Sequence, residues 1–319
     1  LLARVNAKLG RELPLSSLLE GPTLAHQAER LHPAALEGAD PAHVSGAAAV
    51  SNAPAWSPVV PLRKQGSERP LFLVHPVGGN VFCYRALVAS ISPKRPVYGL
   101  QARGFVGEQT PLDNLKEMAS IYVDAMRGIQ PRGPYLLGGW SMGGLVALEM
   151  ARVFEEQGDE VELLALIDSV VPGRKTMLDG LGLLAWFMRD LLATSSRVCN
   201  LDLSGLEHLD DAARLTAVLE RAKAENAIAQ DVTAEQLERL YRVFVRHSAA
   251  MDAYAPAPVR APVLLLDAAD SEERERVAPW KRLTSSLKHH RIAGNHYSIL
   301  GEPHVATLAK RLGAALRDK

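Results

Sequence analysis

The sequence predicts an α/β fold: a mostly parallel β-sheet with helices on both faces and one long helical insertion. Two observations carry this prediction. Short, nearly uninterrupted apolar runs alternate with stretches of helical period, the pattern of strands buried on both faces. One segment, 172–258, shows helical period without a convincing strand signal. The chain has 319 residues, 47% of them hydrophobic, enough to bury a sizeable core.

Residues 1–35 come first and read as a small helical unit. Leu1, Leu2, Val5 and Leu9 fall at helical spacing before Gly10, and Pro22-Thr23 can open a second short helix carrying Leu24, Ala28 and Leu31. Such a piece has too little core to fold well alone. Residues 36–58 are rich in Ala, Pro, Gly and Ser with no period, a linker signal. From 59 to 319 the alternating pattern begins. Candidate strands lie at 71–75, 97–101, 135–140, 163–168 and 263–267, with a weaker one at 288–293. Leu115, Met118, Tyr122, Ala125 and Ile129 make one helix face, and Leu145, Leu148, Ala151 and Arg152 open another helix. Within the insertion, Leu183, Leu184, Phe187, Leu191 and Leu192 form one apolar face and Leu237, Leu240, Tyr241 and Phe244 a second. A helical insertion between two sheet strands reads as a lid; the plainer alternative is an ordinary helical subdomain.

Composition excludes several functions. The formal net charge is zero, which argues against nucleic acid or an anionic membrane as the main partner. No apolar run has the length of a membrane span, and no signal peptide opens the chain. The chain begins without Met in what reads as mid-helix, so we expect a piece of a longer, cytoplasmic polypeptide. Cys83 and Cys199, far apart and without a motif, show no disulfide framework or metal-ligand spacing.

The strongest local signal is Gly138-Gly139-Trp140-Ser141-Met142-Gly143-Gly144, which contains G-x-S-x-G between a candidate strand and a helix. That context defines a nucleophile elbow of the α/β-hydrolase type, with Ser141 on a sharp turn at the positive end of a helix. A serine hydroxyl needs a base. His296, in Ala293-Gly294-Asn295-His296-Tyr297, follows the last candidate strand, where chain order in this fold places the histidine. His289 and His290 fall in or beside that strand. His247 on an insertion helix reads as structural, as does His75. Two carboxylates can orient His296: Asp168 and Asp267, each ending a candidate strand, with Asp270 just beyond the second. For an oxyanion, the expected backbone donors are Met142, after the nucleophile, and Val77, with Gly78 behind it, in the loop His75-Pro76-Val77-Gly78-Gly79-Asn80.

Taken together, these motifs resemble the thioesterase domains that end nonribosomal peptide and polyketide synthetases. The resemblance runs from about residue 57 to the C-terminus. It rests on 70–79 (PLFLVHPVGG), 98–102 (YGLQA), 133–144 (GPYLLGGWSMGG), 164–168 (LALID) and 294–297 (GNHY). It implies Asp168 as the acid and a variable lid at about 172–258. It implies a Ser141-His296-Asp168 triad that releases an acyl or peptidyl chain, by hydrolysis or macrocyclisation. The first 35 residues are similar to the second half of an acyl or peptidyl carrier domain, through Leu13-Pro14-Leu15 and Pro22-Thr23. The implied partner is that upstream carrier and its chain. The implied group is phosphopantetheine on a carrier serine that precedes Leu1, with no cofactor or metal bound by the thioesterase itself. Three other readings compete: a free-standing editing (type II) thioesterase, a generic esterase, and an inactive hydrolase-like binding domain. The carrier-like segment disfavours the first two, and the intact Ser, His and Asp disfavour the third.

Overall fold

The computed structural model describes residues 56–173, 178, 180–193, 201–270 and 276–317. The carrier-like unit at 1–35, the linker apart from its last residues, and Cys199 lie outside the described residues.

Seven strands form one sheet: β1 (Val59–Arg63), β2 (Leu71–Val74), β3 (Val97–Leu100), β4 (Tyr135–Trp140), β5 (Val161–Ile167), β6 (Val263–Ala268) and β7 (Leu287–Ile292). Their order is β1-β3-β2-β4-β5-β6-β7. Every pair is parallel except β1 with β3. The mostly parallel sheet with helices on both faces is the α/β-hydrolase arrangement. The edge strand β1 was not among the candidate strands. It is five residues long and interrupted by Pro61, so it lacks both the continuous run of a buried strand and the alternation of a half-buried one.

The apolar runs are continuous because alternate residues serve two cores. Phe72, Val74, Leu137, Leu164, Leu166, Val263 and Leu265 face one core. Leu71, Leu73, Leu136, Leu163, Ala165, Leu264 and Leu266 face the other. The first core holds α2 (Leu115–Arg127) and α3 (Met142–Glu156); the second holds α1 (Arg85–Ser90) and α8 (Val305–Arg317). Asn114 caps α2 by accepting from the N–H groups of Lys116 and Glu117. The apolar face extrapolated to Ile129 overshoots, because α2 ends at Arg127 and Ile129 is exposed.

The insertion forms three helices among the described residues: α4 (Gly180–Ala193), α5 (Asp211–Ala224) and α6 (Ala234–Ala253). A capping box of Thr233 and Gln236 starts α6. The two apolar faces read from the sequence meet through aromatic rings, Trp186 and Phe187 of α4 against Tyr241 and Phe244 of α6. Among the described residues, three polar ties hold α6 to the sheet domain, one of them the ion pair of Arg246 with Asp113. His247 Nδ1 lies 2.8 Å from the Val77 carbonyl, and the Tyr254 hydroxyl donates to Glu149 on α3 at 2.9 Å. A short helix, α7 (Val277–Lys281), precedes β7.

At the carboxyl end of the sheet the chain leaves β2 and β4 in different directions. Tyr84 fills the gap: its hydroxyl donates to the Val74 carbonyl at 2.5 Å and accepts from the Trp140 N–H at 2.7 Å. Both backbone groups are buried, so a Tyr84→Phe variant strands a donor and an acceptor. We expect it to lose about 2–4 kcal/mol of stability, measured by urea unfolding; a loss under about 0.5 kcal/mol would show that the bridge is dispensable.

Candidate active site

Ser141 stands between β4 and α3 with φ 58° and ψ −126°, a left-handed conformation that a non-glycine residue adopts only under strain. The neighbouring glycines make it possible. A Cβ on Gly139 would overlap the Gly143 backbone, and one on Gly143 would overlap the carbonyls of Val74 and His75. The Ser141 N–H donates to the Ile167 carbonyl at 2.9 Å, which anchors the turn to β5. The 15 residues of α3 begin immediately after it, so the positive end of the helix is directed at the serine.

His296 is presented by an Asx turn. The Asn295 side chain accepts from the N–H groups of Tyr297 and Ser298, both at 3.0 Å. The Trp140 indole donates to the His296 carbonyl at 3.1 Å, and its ring lies 4.9 Å from the imidazole. The residue before Ser141 thus clamps the His296 loop onto the elbow. His296 Nδ1 donates to Asp168 Oδ2 at 2.6 Å. With Nδ1 protonated, a neutral imidazole presents Nε2 as a base.

Of the two strand-end carboxylates, Asp168 is the one that meets His296. It follows β5 at φ 41°, and its side chain is 1% exposed. Its other oxygen accepts from the Ala268 N–H at 2.9 Å and faces Arg276 Nη1 at 3.1 Å. Burial would raise this carboxyl, but the hydrogen bond and charge of His296, the Ala268 N–H and Arg276 outweigh it, holding Asp168 below the usual carboxylate range. Asp267 engages His289 at 3.0 Å instead. Burial pushes its carboxyl up despite Arg276 and His289.

The loop after β2 turns tightly, with the Gly79 N–H donating to Pro76 at 2.9 Å. Neither the Val77 nor the Met142 N–H has a hydrogen-bond acceptor among the described residues, so both donors are free for an incoming oxygen. The loop is held from behind by two buried histidines whose rings stack at 4.9 Å. His75 Nδ1 donates to the Pro76 carbonyl at 2.7 Å, and its Nε2 lies 2.8 Å from the Tyr122 hydroxyl. Burial first, then the charge of His247, lowers His75 to about 3. Burial lowers His247 to about 4. Both are therefore neutral and structural, and the Tyr122 hydroxyl donates to His75.

Sequence reasoning missed three further residues at the site. Arg276 supports Asp168, but a lone arginine beside a short helix carries no motif. Trp140 occupies the unspecified position of G-x-S-x-G. Asp190, on α4, is 7% exposed and brings its carboxyl against Gly78; it sits in an insertion whose apolar faces drew the reading instead. Cys83, half-buried, has its thiol raised well above the ordinary value by burial and by the charge of Asp190. It is thus a poor rival to Ser141 as a nucleophile.

Residues 69–316 match the family described as Thioesterase domain. The chain belongs to the thioesterase domain family. The thioesterase is 32% identical over 281 residues to the nonribosomal peptide synthetase apvA of Aspergillus terreus, covering 83% of this chain and 30% of that protein. It superposes on a four-domain nonribosomal peptide synthetase, whose structure was determined with AMP and glycine, at TM-score 0.76 and 28% identity, covering 98% of this chain and 23% of the other. It also superposes on the NocB thioesterase domain, captured as a covalent complex with a fluorophosphonate nocardicin G analogue, at TM-score 0.57 and 27% identity, covering 79% and 96%. The chain spans a third or less of the length of the most similar curated relatives. No helix among the described residues is long and apolar enough to cross a membrane.

The histidine pair makes stability pH-dependent. Below about pH 6.5 both imidazoles gain protons in the unfolded chain, but in the folded one only near pH 3 and 4. The unfolded state therefore binds more protons across that window, and acidification destabilises the fold. A His247→Gln variant should show a shallower loss between pH 6 and 4.5, by up to about 1.4 kcal/mol per pH unit. Urea unfolding at a series of pH values checks this, and an unchanged slope would refute it.

Proposed function

We propose that the domain releases an acyl or peptidyl chain from a carrier thioester through an acyl-Ser141 intermediate. The observation that carries this reading is the 2.6 Å contact between His296 Nδ1 and Asp168 on a loop clamped to the Ser141 elbow. Ser141 attacks the thioester carbonyl while His296 Nε2 takes its proton. Asp168 holds the tautomer and stabilises the imidazolium without taking the proton itself. The N–H groups of Met142 and Val77 stabilise the tetrahedral oxyanion. The carrier thiol then leaves with the proton from His296. Water attacks the acyl-serine to give an acid, or a nucleophile of the chain attacks to give a ring, with His296 again as base.

In this reading the chain arrives on the phosphopantetheine of an upstream carrier. The carrier-like motif at 1–35 supports it, as does the alignment that takes in 98% of this chain with a four-domain synthetase. A tether such as 36–58 raises the local concentration of the acyl arm without requiring a large docking surface. The helical insertion serves as the lid, the aromatic contacts of α4 with α6 helping to exclude water from the acyl-enzyme. Loading the carrier, and reloading it after release, needs a free thiol, which fits a reducing compartment such as the cytoplasm.

Incubation with an acyl-pantetheine thioester should leave an acyl adduct on Ser141, seen by mass spectrometry of the intact chain and of its peptides. Ser141→Ala should abolish the adduct and cut turnover by about 10⁶-fold. No adduct together with rapid ester hydrolysis would favour a generic esterase. Asp168→Asn should lower kcat roughly 10⁴-fold, whereas Asp267→Asn should stay within about tenfold. A reversed order would move the acid to Asp267.

A further inference from the structure

Asp190 is a buried acid that the release mechanism does not use. It lies on lid helix α4 and is 7% exposed. A Cβ placed on Gly78 would stand 2.8 Å from Asp190 Oδ2, so the carboxyl rests against the loop that carries Val77. It interacts electrostatically with His296, Arg189, Tyr297 and Cys83. Among the described residues its carboxyl accepts no hydrogen bond and forms no ion pair. A carboxyl so placed is costly to bury, and it rests against the loop that carries the Val77 N–H of the proposed oxyanion site. Ionised and alone, it would oppose the oxyanion; beside a bound cation, the opposition is offset.

We propose that Asp190 is a specificity-determining residue that binds the ammonium of an acyl chain carrying a free amine at the α-carbon, next to the reacting carbonyl. The position fits this class: the residue after Val77 touches the carboxyl, so the acyl α-carbon lies nearer to it than the distal chain does. Burial pushes Asp190 up to about 6, despite the opposing influence of His296 and Arg189. At pH 7.5 it is therefore ionised and ready to receive the cation. The inference rests on the acyl group occupying the site built by Ser141 and Val77.

The test uses the full chain and two non-hydrolysable ligands, alanyl- and propionyl-pantetheine with the thioester sulfur replaced by NH. They differ in the α-amine. Titration calorimetry at pH 7.5 should show the alanyl ligand bound roughly 10- to 100-fold more tightly, the range expected for a hydrogen bond to a charged group. In Asp190→Asn this preference should fall to about one, through weaker alanyl binding alone. In the parent chain it should also decline as pH drops below about 6, a measurement that does not need the variant to fold. Equal affinities in the parent, a preference that survives in Asp190→Asn, or equal weakening of both ligands would each overturn the proposal. So would undetectable alanyl binding at millimolar ligand. Acylation of Ser141 by a propionyl thioester is scored separately: an adduct without any amine preference would sink the Asp190 proposal and leave the thioesterase reading standing.

Discussion

The parallel register of β2, β4, β5 and β6 is the constraint on which the site depends. Val74 pairs with Gly139, Trp140 with Ile167, and Ile167 with Leu266. The ends of these strands therefore lie on one rim, and the loop after β2, Ser141 and Asp168 emerge there side by side. A slip of two residues would keep every side chain on its face but shift a strand by about 7 Å, more than the reach of any hydrogen bond in the site. The double-sided apolar core opposes such a slip, because Leu164, Leu166, Leu163 and Ala165 fill two differently shaped interiors at once.

Strain is concentrated at that rim. Ser141 and Asp168 both have positive φ without being glycine, a cost of about 1–3 kcal/mol each. Neighbouring groups over-determine both conformations. Ser141 is fixed by its N–H bond to β5, by the two close glycines and by the adjoining Tyr84 bridge. Asp168 is fixed by His296, Ala268 and Arg276. The conformations of Ser141 and Asp168 are thus supported by backbone and buried side chains, not by the exposed surface.

Electrostatics then separates groups of the same kind. Asp168 is lowered because His296, the Ala268 N–H and Arg276 surround it, while Asp267, one strand over, is raised by burial despite sharing Arg276. His75 and His247 are neutral because burial outweighs the backbone carbonyl to which each donates, whereas His296 donates to a carboxylate. The neutral pair has a mechanical consequence. Through the Val77 carbonyl, α6 holds the loop after β2, so the position of α6 and the geometry of that loop are coupled.

Much of this was legible in the chain itself. Continuous apolar runs announced buried parallel strands, and G-x-S-x-G between strand and helix announced the turn at 141, because only glycine tolerates the close backbone approach at 139 and 143. The apolar faces of α4 and α6 could be read by period, though not that Trp186 and Phe187 would meet Tyr241 and Phe244. The edge strand β1 was hidden by Pro61, and Ile129 continued a pattern that α2 does not. Local residues favour Asp168, a single carboxylate closing an apolar run just before the insertion, but do not exclude Asp267, which also ends an apolar strand. Tertiary structure separates them, because which carboxyl meets an imidazole is decided by strand order and loop direction, and neither is encoded at the carboxyl itself. Arg276 and Asp190 likewise acquire their meaning only from residues more than a hundred positions away. Sequence determined which chemistry the chain could carry, since local spacing dictates local turns; the fold decided which groups share a hydrogen bond, since that requires distances no linear pattern contains.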